Sequence, residues 1–273
     1  MESCRVARLS FQRLLLVSSR LKGIRKGEGP LFGSRQIMVR FQGCPLNCVY
    51  CNAPDIKRSE TCKLEATPGL RNWKPVNNPI ELSELERHIK GLTTPDLHSI
   101  NFTGGEPLDQ LEFCIELAKT VHRFQGIVYL DTAGYPYENF KKLVDYCEYV
   151  KIDIKSADAG AVVSEKFDRL VNEELESIKL SVKKQKPTIA KIVIMETTDK
   201  KWFENVLSQL KVEVNSVTFF NLTLTPVSPT EEIKNSPSLR KLFEFSEIAS
   251  KYVPADFIQV TPQAEGYYGV PTS

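Results

Sequence analysis

A chain of 273 residues that is 41% hydrophobic and 26% charged has the composition of a folded globular protein, which excludes general disorder. Its formal net charge of +2 gives no reason to expect a polyanionic partner such as nucleic acid, and no apolar run reaches the roughly 18 residues that a membrane span needs. Seven cysteines, an odd number in so long a chain, do not read as a disulfide framework and point to a reducing, cytoplasmic setting.

In chain order, Ser3–Gly27 carries seven basic residues and no acidic one. Such a stretch fits a transit peptide or the basic rim of a first strand. Leu14–Val17 is strand-like and feeds straight into the fold, which favours the rim. Short apolar, β-branched runs then mark strands at Gln36–Phe41, Ser99–Thr103, Ile127–Asp131, Tyr149–Ile154, Ile189–Met195, Ser216–Leu222 and Phe257–Val260. Helical periodicity fills the intervals at Pro79–Leu92, Leu108–Phe124, Tyr137–Cys147, Ser164–Lys183, Lys201–Leu210 and Ser236–Lys251, with Asp199 and Ser238 standing where N-caps belong. Trp73, Lys74 and Pro75 fall in the long connection after the first of these strands, as a lid or a loop anchor. His88, His98 and His122 lie in or beside helices and read as surface or packing residues. With no repeat and no low-complexity linker, one domain over 1–273 is expected, with its core at about 36–260 and an N-terminal extension at 1–35.

Strands alternating with helices through right-handed crossovers make an open parallel sheet or a barrel, and both gather chemistry at the C-terminal ends of strands. The polar motifs obey that rule. Gly43–Asn52 follows the first of these runs, Gly104–Pro107 the second, Asp131–Gly134 the third, and Lys155 with Ser156 the fourth. In the first motif Cys44, Cys48 and Cys51 are spaced C-x3-C-x2-C. Thiolates are soft ligands suited to iron–sulfur clusters. Three of them on a four-iron cube leave one iron open, where an amino acid's amine and carboxylate can chelate. A structural zinc site with Cys62 as fourth ligand competes, although no second short cysteine hairpin exists to complete it. Cys4, Cys62, Cys114 and Cys147 otherwise read as small buried apolar residues.

With Tyr50 just before its last cysteine, this motif resembles that of the radical S-adenosylmethionine (SAM) superfamily, and Thr103-Gly104-Gly105-Glu106-Pro107 resembles the superfamily's second signature. The resemblance implies a partial (β/α)6 barrel over roughly Gln36–Val260, a 4Fe-4S cluster on Cys44, Cys48 and Cys51, and SAM as cosubstrate. Tyr50 is then expected against adenine, and Thr103, Gly104, Gly105 and Glu106 at the methionine ammonium. It also implies reductive cleavage of SAM to a 5′-deoxyadenosyl radical, which takes a hydrogen from the substrate, with the electron coming from a flavodoxin or ferredoxin. Asp131, Thr132 and Ser156 are candidates for the SAM ribose or carboxylate, with ordinary turn capping as the other reading. Lys155 is a candidate for SAM carboxylate or substrate, against a buried pair with Asp153. A non-catalytic iron–sulfur protein is disfavoured, because both motifs are intact.

Within the superfamily, Gly27-Glu28-Gly29-Pro30, Gly33 and Arg40 with Gly43-Cys44 resemble the 7-carboxy-7-deazaguanine synthases of queuosine and archaeosine biosynthesis, as do Thr225–Pro229 and Val260–Gln263 near the other end. That likeness implies ring contraction of a pterin-like small molecule, 6-carboxytetrahydropterin, with Glu28 reading its donor edge and Arg40 clamping its carboxylate. Departures fall on the expected substrate and metal positions. Asn52-Ala53-Pro54-Asp55 replaces the Asp-Thr after the last cysteine, so Mg²⁺ is in doubt. Lys26 replaces a glutamine, Ala133 stands within the third-strand motif, and Ala264-Glu265 replaces a late histidine. The cluster loop, with Asp131–Tyr135 and Asp153–Lys155, also resembles the glycyl-radical-enzyme activases, which act on a protein glycine. A homodimer is the assembly left open.

Overall fold

The computed structural model describes residues 14–19 (backbone only), 29–51, 59–67, 70, 72–210, 219–230 and 232–261. Ten strands form one sheet. They are β1 (Leu14–Ser19), β2 (Gln36–Phe41), β3 (Thr61–Glu65), β4 (Trp73–Asn77), β5 (Ser99–Gly104), β6 (Val128–Thr132), β7 (Tyr149–Ile154), β8 (Thr188–Ile194), β9 (Phe220–Pro226) and β10 (Ile258–Val260). Their order is β10-β9-β8-β7-β6-β5-β2-β1-β3-β4. From β2 through β5, β6, β7, β8 and β9 to β10 every pairing is parallel, while β1 runs antiparallel to β2. The sheet keeps two edges, at β10 and β4, and is the expected partial barrel rather than a closed one.

The crossover helices are α1 (Leu82–Leu92), α2 (Leu111–Arg123), α3 (Tyr137–Leu143), α4 (Ser164–Lys183), α5 (Lys200–Leu210) and α6 (Leu239–Ala249). Each buries one stripe against the sheet. In α4 that stripe runs through Val171, Leu175, Ile178 and Val182, a spacing of three and four residues that brings them onto one face. The expected caps form. The Ser238 hydroxyl accepts from Lys241 N at 3.2 Å, and Asp199 Oδ1 from Trp202 N at 2.7 Å. The main core unites β2, β5, β6, β7, β8 and β9 with these helices, around fully buried Phe41, Phe102, Phe140, Phe203, Phe220 and Phe245.

Two departures from the sequence reading have physical causes. Residues 61–77, expected as loop, contain the β3–β4 hairpin, which extends the sheet beyond β1. Lys63, Lys74 and Pro75 mask its strand pattern; Lys63 is exposed on β3, and β4 tolerates Lys74 and Pro75 because it is an edge strand on which both are exposed. Trp73 accordingly sits on an edge strand opposite Glu65. The sixth barrel strand lies at Phe220–Pro226 instead of Ser216–Leu222. Asn221, Thr223 and Thr225 interrupt its apolar run, yet all three are buried. Glu28, Cys4, Asn52–Asp55, residues 216–218 and 262–265 fall outside the described residues. Among the described residues no helix is long and apolar enough to cross a membrane.

Candidate active site

The cluster loop leaves β2 through Gly43, whose φ of +89° is reached without strain because it lacks a Cβ. Backbone bonds brace the loop: Asn47 N donates to Ala161 O at 2.8 Å and Val49 N to Ala159 O at 2.9 Å. Both acceptors belong to the short turn after β7. Leu46 packs with Ala133, Ala161 and Leu170, and Tyr50 with Ala159, Val193, Met195 and Val227. These anchors leave Cys44, Cys48 and Cys51 facing one cavity.

The glycine-rich turn after β5 is seated on the same loop. Gly105 N donates to Phe41 O and Glu106 N to Gly43 O, both at 2.8 Å. A Cβ on Gly105 would lie 1.9 Å from Gly43 O, and one on Gly104, where φ is +111°, would lie 2.5 Å from Phe41 N. Close approach of two backbones therefore requires both glycines. Glu106 is buried, and its carboxylate accepts from Thr132 Oγ1 at 2.5 Å, Leu108 N at 3.0 Å and Ala133 N at 2.9 Å. Burial pushes its pKa up to about 7 against the pull of these donors. One acceptor position on Oε2 is left for a ligand.

Opposite the cysteines stands a buried ionic lattice. Lys151 Nζ lies 2.9 Å from Asp131 Oδ1 and 3.8 Å from Asp153 Oδ1, and Lys155 Nζ lies 2.9 Å from Asp153 Oδ2. Thr103 Oγ1 donates to Asp131 Oδ2 at 3.1 Å. Burial alone would raise Asp153, but Lys155, Lys191 and Lys151 hold it well below the usual carboxylate range. Burial would likewise lower Lys155, and Asp153 above all raises it. The Lys155 ammonium also sits over the Tyr50 ring, 5.7 Å from its centroid. Behind it, Glu174 of α4 is fully buried and accepts from Lys155 N at 3.0 Å, and burial raises its pKa well above the usual range.

Of the residues singled out in the sequence, Arg40, Tyr50, Thr103, Gly104, Gly105, Glu106, Asp131, Thr132 and Lys155 join the three cysteines around this cavity. Ser156 does not; it is buried beside it with its hydroxyl unpartnered. Both readings of Lys155 meet in one place, since its pair with Asp153 lines the cavity. Lys151, Lys191 and Glu174 were missed. Alternation of Lys151, Asp153 and Lys155 within β7 was the available signal, because a period of two sets them on one face. For Glu174, it was a carboxylate amid the apolar stripe of α4.

A 4Fe-4S cluster fits this donor set. Cys44, Cys48 and Cys51 all line the one cavity and are soft thiolate donors of the kind that hold iron–sulfur clusters. Cys62, the fourth ligand of the zinc alternative, is buried in the main core and does not line the cavity. Burial pushes the Cys44 thiol up to about 12, so it ionises only for a ligand that displaces its proton, as iron does. Arg40, Lys151, Lys155 and Lys191 supply cationic walls for thiolates and a ligand carboxylate. The cavity these residues line measures about 140 Å³.

Comparison with known proteins agrees with this geometry. A profile of the radical SAM superfamily matches residues 38–210. The 7-carboxy-7-deazaguanine synthase of Methanocaldococcus jannaschii is 33% identical over 245 residues, which cover 89% of this chain and 96% of that protein. The pyruvate formate-lyase-activating enzyme of Clostridium pasteurianum is 35% identical over 136 residues, 48% of this chain and 49% of that one. Among solved structures, QueE from Escherichia coli superposes with a TM-score of 0.52 at 15% identity over 92% of this chain and 94% of its own, a likeness of fold.

Proposed function

The chain belongs to the radical SAM superfamily, and from that premise we propose that it is a 7-carboxy-7-deazaguanine synthase acting on 6-carboxytetrahydropterin. The observation that carries the reading is the convergence of three cysteines, the Gly104–Glu106 turn and a set of buried cations on one cavity, in a chain 89% of which matches a relative of that name over 96% of its length. The activase reading rests on a relative that matches half of each chain and is the weaker.

When bound, the 4Fe-4S cluster and SAM supply a 5′-deoxyadenosyl radical for hydrogen abstraction. Cys44, Cys48 and Cys51 hold the cluster, and the brace from Ala159 and Ala161 fixes their loop. Glu106 Oε2 and the backbone of Gly104 and Gly105 receive the methionine ammonium. Asp131 and Thr132 would take the ribose and Lys155 the carboxylate, with Ser156 close behind, while Thr103, expected with the turn at the ammonium, braces Asp131. Tyr50 closes the adenine side with the edge of a ring that is otherwise buried. Arg40, buried at the end of β2, clamps the substrate carboxylate as a bidentate donor, and Glu28 reads the pterin's donor edge. Closure of these walls around the reactants keeps water from the radical. The departures around Asn52–Asp55 put Mg²⁺ in doubt, which is why the assay is run with and without it. A flavodoxin or ferredoxin supplies the electron. The enzyme folds as one domain and works in the cytoplasm, where thiols stay reduced.

The test is anaerobic reconstitution with iron and sulfide, then incubation with SAM, reductant and 6-carboxytetrahydropterin, with and without Mg²⁺. Formation of 7-carboxy-7-deazaguanine with release of ammonia is expected. Production of 5′-deoxyadenosine without that product overturns the substrate.

A further inference from the structure

Past Lys191 and Val193 of β8, which line the cavity, the sheet continues onto β9 and β10 with a face of different chemistry. Asn221, Thr223 and Thr225 alternate with Leu222 and Leu224. The leucines join the main apolar core, so the three polar side chains project from the opposite face, towards the barrel interior. All three are nearly inaccessible, at 2%, 0% and 1%. Gln259 stands beside Thr223 in register. Thr261 N donates to Leu224 O at 3.1 Å, which brings Thr261 level with Thr225, and Thr225 in turn lies alongside Val193.

Within this face Thr223 Oγ1 donates to Asn221 Oδ1 at 2.6 Å. Three neighbours have no such partner: Thr225 Oγ1, Gln259 Oε1 and Thr261 Oγ1 are buried oxygens without a hydrogen bond. Folded proteins pair the great majority of such atoms, and three on one face of two adjacent strands, outside the lining of the cavity but level with Lys191 and Val193 that line it, leave room for a further hydrogen-bonding group. The N-terminal turn at Gly29–Leu31 is seated here too. A Cβ on Gly29, where φ is +55°, would lie 2.5 Å from Thr223 Oγ1 and 3.0 Å from Asn221 Oδ1. Glycine is therefore what lets that turn, directly after Glu28 in the chain, come against this face.

We propose that Thr225, Gln259 and Thr261 form the wall that hydrogen-bonds the ring edge of the substrate. The proposal rests on the pterin reading and deepens it. An amide oxygen accepts only, whereas a hydroxyl donates or accepts. A 2-amino-4-oxopyrimidine edge, with N–H groups beside a carbonyl, answers that combination. These residues decide which heterocycle is bound, in the way that sites built to hydrogen-bond a substrate reject analogues lacking the matching groups.

Thr225→Val and Thr261→Val remove each hydroxyl and keep its shape, and Gln259→Met removes the amide. Binding of 6-carboxypterin to the reconstituted enzyme, followed by pterin fluorescence, is expected to weaken about tenfold in each valine variant, and further in the double variant. The melting temperature of the iron-free variants is expected to hold or rise, because no protein hydrogen bond is lost. Wild-type and double-variant affinities within about twofold of each other overturn the wall, as does a fall in melting temperature with binding retained, which makes these oxygens structural. Wild-type turnover of 6-carboxytetrahydropterin alongside unaltered variant affinities sinks the wall alone. A wild-type enzyme that neither binds nor converts the pterin sinks the substrate reading and the wall together.

Discussion

Gly105→Ala tests the claim that the glycine-rich turn and the cluster loop are one mechanical unit. The added Cβ would sit 1.9 Å from Gly43 O, 2.7 Å from Gly43 C and 3.2 Å from Phe41 O. All three are backbone atoms, so no rotamer change relieves the overlap. Ordinary contact requires the two segments to part by more than about 1 Å. That breaks the 2.8 Å bond from Glu106 N to Gly43 O and strains the one from Gly105 N to Phe41 O. One buried bond left unsatisfied costs about 1–3 kcal/mol, and overpacking adds a similar amount, for a total of about 2–6 kcal/mol. Denaturant unfolding of the iron-free protein measures it, with iron per chain after anaerobic reconstitution as the second readout; both are expected to fall. Gly91→Ala is the control, because a Cβ there meets nothing within 4 Å. A Gly105→Ala protein within about 1 kcal/mol of wild type and fully loaded with iron would refute the reasoning.

Cys48→Ala is expected to abolish stable cluster assembly, while Cys62→Ala, in the main core, loads iron normally and loses only about 1–2 kcal/mol of stability; iron analysis and visible absorbance separate the two. Equal iron loss in both would revive a four-cysteine site. For Glu106, burial moves the pKa from 4.5 to about 7. The folded state therefore binds its proton more tightly than the unfolded one. This group's contribution is complete below about pH 4.5 and vanishes as pH rises through about 7, a swing on the order of 3 kcal/mol in the iron-free protein. Glu106→Gln is expected to flatten that part of the stability–pH curve, and an unchanged slope would argue that the carboxylate is ionised throughout.

The sequence alone determined the strand-and-helix alternation, the C-x3-C-x2-C spacing and the Gly-Gly-Glu-Pro turn, because each is written in residues that are neighbours in the chain. Gln36–Phe41 and Tyr149–Ile154 are strands by local pattern and coincide with β2 and β7. Placement of the motifs at strand C-termini followed from the same periodicity, and Arg40, Lys155 and the cysteines meet around one cavity as it implied. Tertiary structure decided what depends on partners distant in sequence. Glu106 is held by Thr132 and Ala133, Lys151 by Asp131, and Lys155 by Glu174 through its amide. A hairpin carrying lysine and proline becomes sheet because β1 offers it an edge. Local propensity measures the backbone's own preference. The charge lattice and the unpaired oxygens of β9 and β10 exist only once separate strands stand side by side, where burial removes water and each polar atom must find a partner or await one.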